Sequence, residues 1–234
     1  MTSPISARDN AHLSAAAIRV LARRGFEATT ARDLAEALGV SRSTFFRRFG
    51  TKEDVVFVDH DEALEQLTEH LDPARGEHSV DDELLPIVTG TVGVFERLSR
   101  DTETARLKYE LLRSNPALRD RELIMSQRYE AVFARFLRAR FADAPDWCVQ
   151  ALAAGIIAVH NAALRTWLRA GGSPDSRSLR DSLQRLCALF AAPLDASDKR
   201  QTRVLVAAFD ARDSVEAVLG AVERSLRADA GLPA

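Results

Sequence analysis

The chain has 234 residues, 46% apolar and 28% charged, with a formal net charge of −2, and its abundance of Ala, Leu and Arg beside 11 glycines is the composition of a mostly helical protein able to bury a substantial core. Disorder through the body of the chain is excluded, and two cysteines, Cys148 and Cys187, without C-x-x-C spacing argue against a disulfide framework or a zinc site and fit a reducing compartment. Net charge hides an asymmetry: residues 1–57 hold nine Lys/Arg against six Asp/Glu, the rest 23 against 28, so the first quarter is the part suited to a polyanion.

The opening "MTSPISARDN" has neither the basic n-region nor the apolar h-region of a signal peptide. The longest apolar run, residues 151–159, is about half what a bilayer requires. A cytoplasmic protein without a membrane span is expected.

Apolar residues at Leu13, Ala17, Val20 and Leu21 repeat at helical spacing and predict a first helix over 9–24, stopped by Gly25. "TTARDLAEALG" predicts a short second helix opened by a Thr30/Asp33 capping box, with Leu34 and Leu38 on one face. Ser41 then caps "RSTFFRRF", a two-turn third helix bounded by Gly50. Thr51, with Asp54 three residues on, opens a fourth helix that runs unbroken to Leu71.

Pro73 and Gly76 mark a loop. Helices follow over 81–99, with Pro86 early in it, over 101–113, closed at Pro116, and over 117–141. "DAPDW" opens an eighth helix reaching Ala170, nearly apolar all round over its first half and so buried on more than one side. "GGSPDS" is a turn with Ser173 as N-cap and Pro174 at the first helical position of a ninth helix, ending near Ala191. In the last 40 residues, 202–210 ("TRVLVAAFD") is β-prone and reads as a short strand, and 213–228 as a helix.

Second helix, turn and third helix form a helix-turn-helix: Ala35 lets the helices cross closely, Gly39 permits the turn, and Val40 and Phe45 fill the space between. A helical wheel sends Phe45 and Phe49 inward and Ser43, Thr44 and Arg47 outward, with Phe46 and Arg48 on the flanks and Arg42 projecting from the first turn. This division is what reading a major groove demands.

Over "RRGFEATTARDLAEALGVSRSTFFRRFGTKEDVV", residues 9–57 resemble the DNA-binding domain of the TetR/AcrR family of transcriptional regulators. The resemblance implies an all-α fold with a three-helix DNA-binding head at 1–57, a larger helical domain at 58–195 that dimerises and binds a small effector, and here an extension at 196–234. A repressor that binds a palindromic operator as a homodimer and is released by the effector is expected, the alternatives being a transcriptional activator or a helical protein-interaction module without effector binding. By position, Thr30, Arg32 and Lys52 are expected at phosphates, Lys52 with the help of a helix N-terminus, and Arg42, Ser43, Thr44 and Arg47 at base edges. Phe46 departs from the tyrosine of many members; without a hydroxyl it is left to pack against sugar or a thymine methyl.

In the same family the last two core helices pair with their copies, and the ninth, with Leu179, Leu183, Leu186 and Phe190, suits that role. Two reading helices must also reach successive major grooves about 34 Å apart, an independent reason for a dimer. His160 and Asn161 interrupt the apolar eighth helix; with Phe95, Tyr109, Tyr129, Phe133, Trp147 and Trp167 they are the candidate effector-pocket residues, a satisfied interhelical hydrogen bond and ordinary core packing being the competing readings.

Enzymatic readings find little. "DHDEALEQLTEH" offers His60, Glu62, Glu69 and His70 without H-E-x-x-H, so a solvated acidic face is expected there rather than a metal site. Neither cysteine has a nearby histidine in sequence, and G-x-S-x-G and Gly-rich phosphate loops are absent. No cofactor is expected.

Overall fold

The computed structural model describes residues 7–71, 80–171, 173–194, 214 and 216–220. Within them lie α1 (Ala7–Arg24), α2 (Ala31–Ala37), α3 (Arg42–Phe49), a 3-10 turn (Asp54–Phe57), α4 (Val58–His70), α5 (Val80–Ser99), α6 (Thr102–Ser114), α7 (Pro116–Arg140), α8 (Asp146–Ala170) and α9 (Ser176–Leu194). Residues 216–220 are helical, and their Val218 and Leu219 are buried. The fold is all-α; the strand expected at 202–210 lies outside the described residues.

The chain divides into two compact units, one of residues 1–66 and 97–127 and one of 67–96 and 128–234. In the first, α1 packs against α6 and the 3-10 turn, and its Ala17, Ile18 and Leu21 are nearly inaccessible. Ser14 Oγ, buried, donates to the Val55 carbonyl at 2.6 Å, and Arg19 pairs with Asp101 at 3.2 Å. The fourth helix therefore does not run unbroken from Thr51. Thr51 does accept from the Asp54 amide at 3.1 Å, but Val55, Val56 and Phe57 are all fully buried and the Ser14 hydroxyl occupies the Val55 carbonyl. Three successive apolar side chains tighten this stretch into a 3-10 spiral before α4 begins.

The acids of α4 divide: Asp61, Glu65 and Glu69 are exposed, as a solvated face requires, whereas Asp59 and Glu62 are held in ion pairs. Asp59 receives a 2.7 Å hydrogen bond from Lys108 of α6, itself buried and 4.9 Å over the Phe57 ring, and Glu62 pairs with Arg97. In the 3-10 turn Asp54 pairs with Arg121 of α7 at 2.5 Å. Burial works against the Asp59 carboxylate, but the charges of Lys108 and His60 and their hydrogen bonds outweigh it and hold its pKa low. At Glu62 the balance reverses: burial pushes the pKa up against the pull of Arg97.

In the second unit Leu84, Ile87, Val88 and Phe95 of α5, Phe133 and Leu137 of α7, and Leu152, Ile156 and Val159 of α8 form the core. By length and composition α8 could cross a bilayer, yet half of its most apolar window is buried inside the protein, and α9 lies along it. A Cβ on Gly155 would stand 3.2 Å from Leu186, so glycine gives α9 its close seat. Leu179, Leu183 and Leu186, the leucines of the ninth helix that suited a partner, are buried within the single chain, whereas Phe190 is half-buried. Nor is Ser173 the cap of α9: the Asp175 carboxylate accepts from the Ser178 amide at 3.0 Å, and the helix starts at Ser176. A charged acceptor at a helix N-terminus is favoured over a hydroxyl two residues earlier.

Candidate nucleic-acid interface

Local sequence fixes the two short helices. Thr30 Oγ1 accepts from the Asp33 amide at 3.2 Å, and the Asp33 carboxylate accepts from the Thr30 amide at 2.8 Å and its hydroxyl at 2.6 Å, completing the capping box. Those hydrogen bonds from Thr30 hold the Asp33 carboxyl below its ordinary range. Leu34 and Ala35 are buried, and the Val40 amide donates to the Ala35 carbonyl at 3.0 Å across the turn. Gly39 takes φ +66° there, a conformation that side-chain-bearing residues rarely adopt.

Ser41 organises the start of α3. Its Oγ accepts from the Thr44 amide at 3.1 Å, donates to Thr44 Oγ1 at 2.9 Å and lies 2.9 Å from Ser43 Oγ. Phe45 and Phe49 are buried with ring centroids 5.2 Å apart, while Arg42, Ser43 and Arg47 are exposed and Thr44 half-buried on the opposite side. Phe46 is 40% exposed, its ring edge-on to Phe45 at 5.9 Å. The Arg42 guanidinium lies 5.5 Å from the Phe46 ring centroid, a cation–π contact that orients it at the helix's solvent face.

Arg32 is exposed at the start of α2. Lys52 differs from expectation in its surroundings: it occupies the turn after α3, half-buried, and its Nζ donates to the carbonyls of Phe26 at 2.9 Å and Thr29 at 3.4 Å and sits 4.2 Å over the Phe26 ring. The structure so brings Thr30, Arg32 and the exposed α3 residues into one helix-turn-helix, and ties Lys52 to the loop that leads into α2. Sequence reading missed the second role of Lys52, since nothing in the spacing pairs it with a loop 26 residues earlier. It also missed a groove lined by His12 and Leu13 of α1, Val40 of the turn and Arg48 of α3.

Of the candidate pocket residues, Phe95, Tyr129, Phe133, His160 and Trp167 are buried in the second unit, Trp147 and Asn161 half-buried. Phe95 meets His160 and Trp167 edge-on, each at 6.2 Å between centroids. Tyr109 belongs to the first unit, where Arg113 lies over its ring at 5.8 Å. Among the described residues no group of three His, Cys, Asp or Glu is placed to hold a metal ion. Both cysteines are free and buried, and burial pushes the Cys148 thiol up to about 11.

A helix-turn-helix with a buried inner face and a basic, hydroxyl-bearing outer face, set on an all-α body, defines a DNA-binding regulator. Residues 13–57 match the family described as bacterial regulatory proteins, tetR family, and residues 83–195 match the MftR C-terminal domain. The chain belongs to the TetR family of transcriptional regulators. It is 26% identical over 185 residues, 79% of this chain and 90% of the relative, to a Mycobacterium tuberculosis protein bearing the name of a mycofactocin biosynthesis transcriptional regulator, MftR. Among solved structures it is similar to a bacterial regulatory protein in the tetR family from Rhodococcus RHA1, with 24% identity, 81% of this chain and 98% of that one covered and a TM-score of 0.49. It is similar too to the TetR family regulator PfmR of Thermus thermophilus, with 18% identity, coverage of 75% and 97%, and a TM-score of 0.48.

Proposed function

We propose that this regulator is a homodimeric repressor that binds a palindromic operator and is released by a small-molecule effector. The observation that carries the reading is the division of α3, with Phe45 and Phe49 in the core and Arg42, Ser43 and Arg47 exposed on the other side. In this reading residues 1–57 are the DNA head, 58–195 the effector and dimer domain and 196–234 an extension. Arg42, Ser43, Thr44 and Arg47 meet base edges, Thr30, Arg32 and Lys52 meet phosphates, and Phe46 packs on sugar or a thymine methyl. Thr44 suits its role because its oxygen accepts from Ser41, leaving its own hydroxyl proton to donate.

Dimerisation uses the faces of α8 and α9 left over after the two helices pack on each other. Ala154 and Ala188 are exposed there, and small residues let two copies approach closely. An effector bound in the second unit favours a dimer whose heads are wrongly spaced and so weakens DNA binding by its differential affinity, of order 1–3 kcal/mol. The protein acts in the cytoplasm and has no enzymatic activity; a buried thiol with a raised pKa is a poor nucleophile.

The test is binding of the purified protein to DNA from its own promoter region at low salt. Affinity that falls steeply with added salt is expected. Absence of binding, or binding indifferent to salt, overturns the reading.

A further inference from the structure

We infer that His160 is the polar anchor of a ligand site in the second unit, and that the ligand is an apolar molecule presenting a neutral hydrogen-bond donor, a hydroxyl or amide N–H, to its Nε2 atom. This rests on the effector reading and adds the chemistry of the effector to it.

His160 lies on α8 and is 7% exposed. Its Nδ1 is 3.2 Å from Asn161 Oδ1. A carbonyl oxygen only accepts, so Nδ1 carries the proton of this contact. Burial, aided by the Arg165 charge and opposed by the Asn161 hydrogen bond, pushes the imidazole pKa down to about 4, so the ring is neutral near pH 7. With Nδ1 protonated and the ring neutral, Nε2 is a bare acceptor. It is buried and has no hydrogen-bond partner among the described residues. The interhelical bond that would make His160 an ordinary satisfied core residue is not made at Nε2, and the bond at Nδ1 goes to the next residue of the same helix.

Buried acceptors are almost always paired, and an orphan marks a place where a partner is missing. The neighbouring side chains decide what that partner is attached to. Phe95 meets the imidazole edge-on at 6.2 Å and Trp167 meets Phe95 at the same distance, so the body of the ligand is apolar. A carboxylate or phosphate would turn lone pairs toward the lone pair of Nε2, and an ammonium would meet the positive charge of Arg165, which already opposes a cation at this imidazole. A neutral donor satisfies Nε2 at neither cost, and a site built to accept from such a group rejects the analogue that lacks it.

The experiment compares n-alkanols and alkylphenols with their own methyl ethers, by quenching of tryptophan fluorescence in the full chain. Wild type is expected to bind the hydroxyl compounds at least about tenfold tighter than the ethers, a ratio typical of one lost buried hydrogen bond. His160→Phe is expected to bind the ethers as before and to lose the preference, and His160→Gln, whose side-chain carbonyl also accepts, to keep part of it; ether binding by the variants shows that they are folded. Equal binding of hydroxyl compound and ether by wild type overturns this inference and leaves the effector reading standing. Binding of neither member of any pair overturns both.

Discussion

Lys52 Nζ donates a 2.9 Å hydrogen bond to the carbonyl oxygen of Phe26 and lies 4.2 Å from the centroid of the same residue's ring. Through this one cation the turn after α3 holds the loop that carries Thr30 and the start of α2. Lys52→Met removes the hydrogen bonds as well as the charge. It is expected to destabilise the protein by about 1.5 kcal/mol, a melting-temperature loss of about 4 °C, and to weaken binding to all DNA sequences alike. Calorimetry and salt-dependent DNA titration check the two effects; a weaker salt dependence with an unchanged melting temperature would show that Lys52 only contacts phosphate.

Arg47 and Phe46 separate sequence preference from positioning. Arg47→Ala removes an exposed guanidinium from α3, so discrimination between operator and random DNA is expected to drop by about 1–3 kcal/mol while non-specific binding changes little. Phe46→Ala takes away the ring on which Arg42 rests, leaving that arginine to lose rotamer freedom only on binding. A loss of about 0.5–1 kcal/mol in operator affinity is expected, with a smaller loss of stability than a core phenylalanine would show because Phe46 is 40% exposed. Competition binding against a scrambled operator measures both.

Local chemistry explains why so much of the head was legible. The Thr30/Asp33 box, the Ser41 cap and the Phe45/Phe49 repeat operate within four residues, and each is present as the spacing predicts. The Lys52 tether, the pairing of Asp59 with Lys108 and the 3-10 spiral at Asp54–Phe57 depend on residues 26, 49 and 41 positions away, which no periodicity records. The leucines of α9 show the same limit from another side: a heptad-like stripe demands burial, and the stripe alone does not say whether α8 of the same chain or a second copy supplies it.

Two pH windows follow from His160 and Asp59. His160 has a folded pKa of about 4, below its unfolded 6.5, so its share of stability is present above 6.5 and lost as pH falls toward 4, a loss of about 3 kcal/mol across that window. Asp59 has a folded pKa below its unfolded 3.8, so its share is present above 3.8 and lost as pH falls through the folded value. His160→Gln is expected to flatten the upper window alone and Asp59→Asn the lower one. Urea titrations at half-unit pH steps resolve them, and an upper window that persists in His160→Gln would mean another group titrates there.

Lys108 and Asp59 are expected to behave as a unit. Lys108→Met leaves a partly buried carboxylate without its cation and is expected to cost about 2 kcal/mol, less than the 3–5 kcal/mol of fully buried pairs because Asp59 retains some exposure. Asp59→Asn added to Lys108→Met removes the stranded charge and is expected to recover most of that cost, since an ion pair taken out of water gains little over a neutral replacement. A double-mutant cycle on urea midpoints gives the coupling, and strict additivity would mean that the contact contributes nothing beyond its parts.

Gly155 tests the seat of α9 on α8. With Leu186 Cδ2 3.2 Å from the position of a Cβ, alanine asks the leucine to give way by a few tenths of an ångström, which a terminal methyl can do. Alanine also removes the conformational freedom that glycine carries in the unfolded chain, so Gly155→Ala is expected to lie within about 1 kcal/mol of wild type. Valine adds two methyl groups against a leucine that is buried, at 3% exposure, and overpacking of that kind costs about 1–3 kcal/mol. Gly155→Val is thus expected to be clearly destabilised where Gly155→Ala is not, as thermal melts of the two variants read directly; equal melting temperatures for both would mean that α9 can shift on α8 without loss, and that the packing of Leu186 does not set its position.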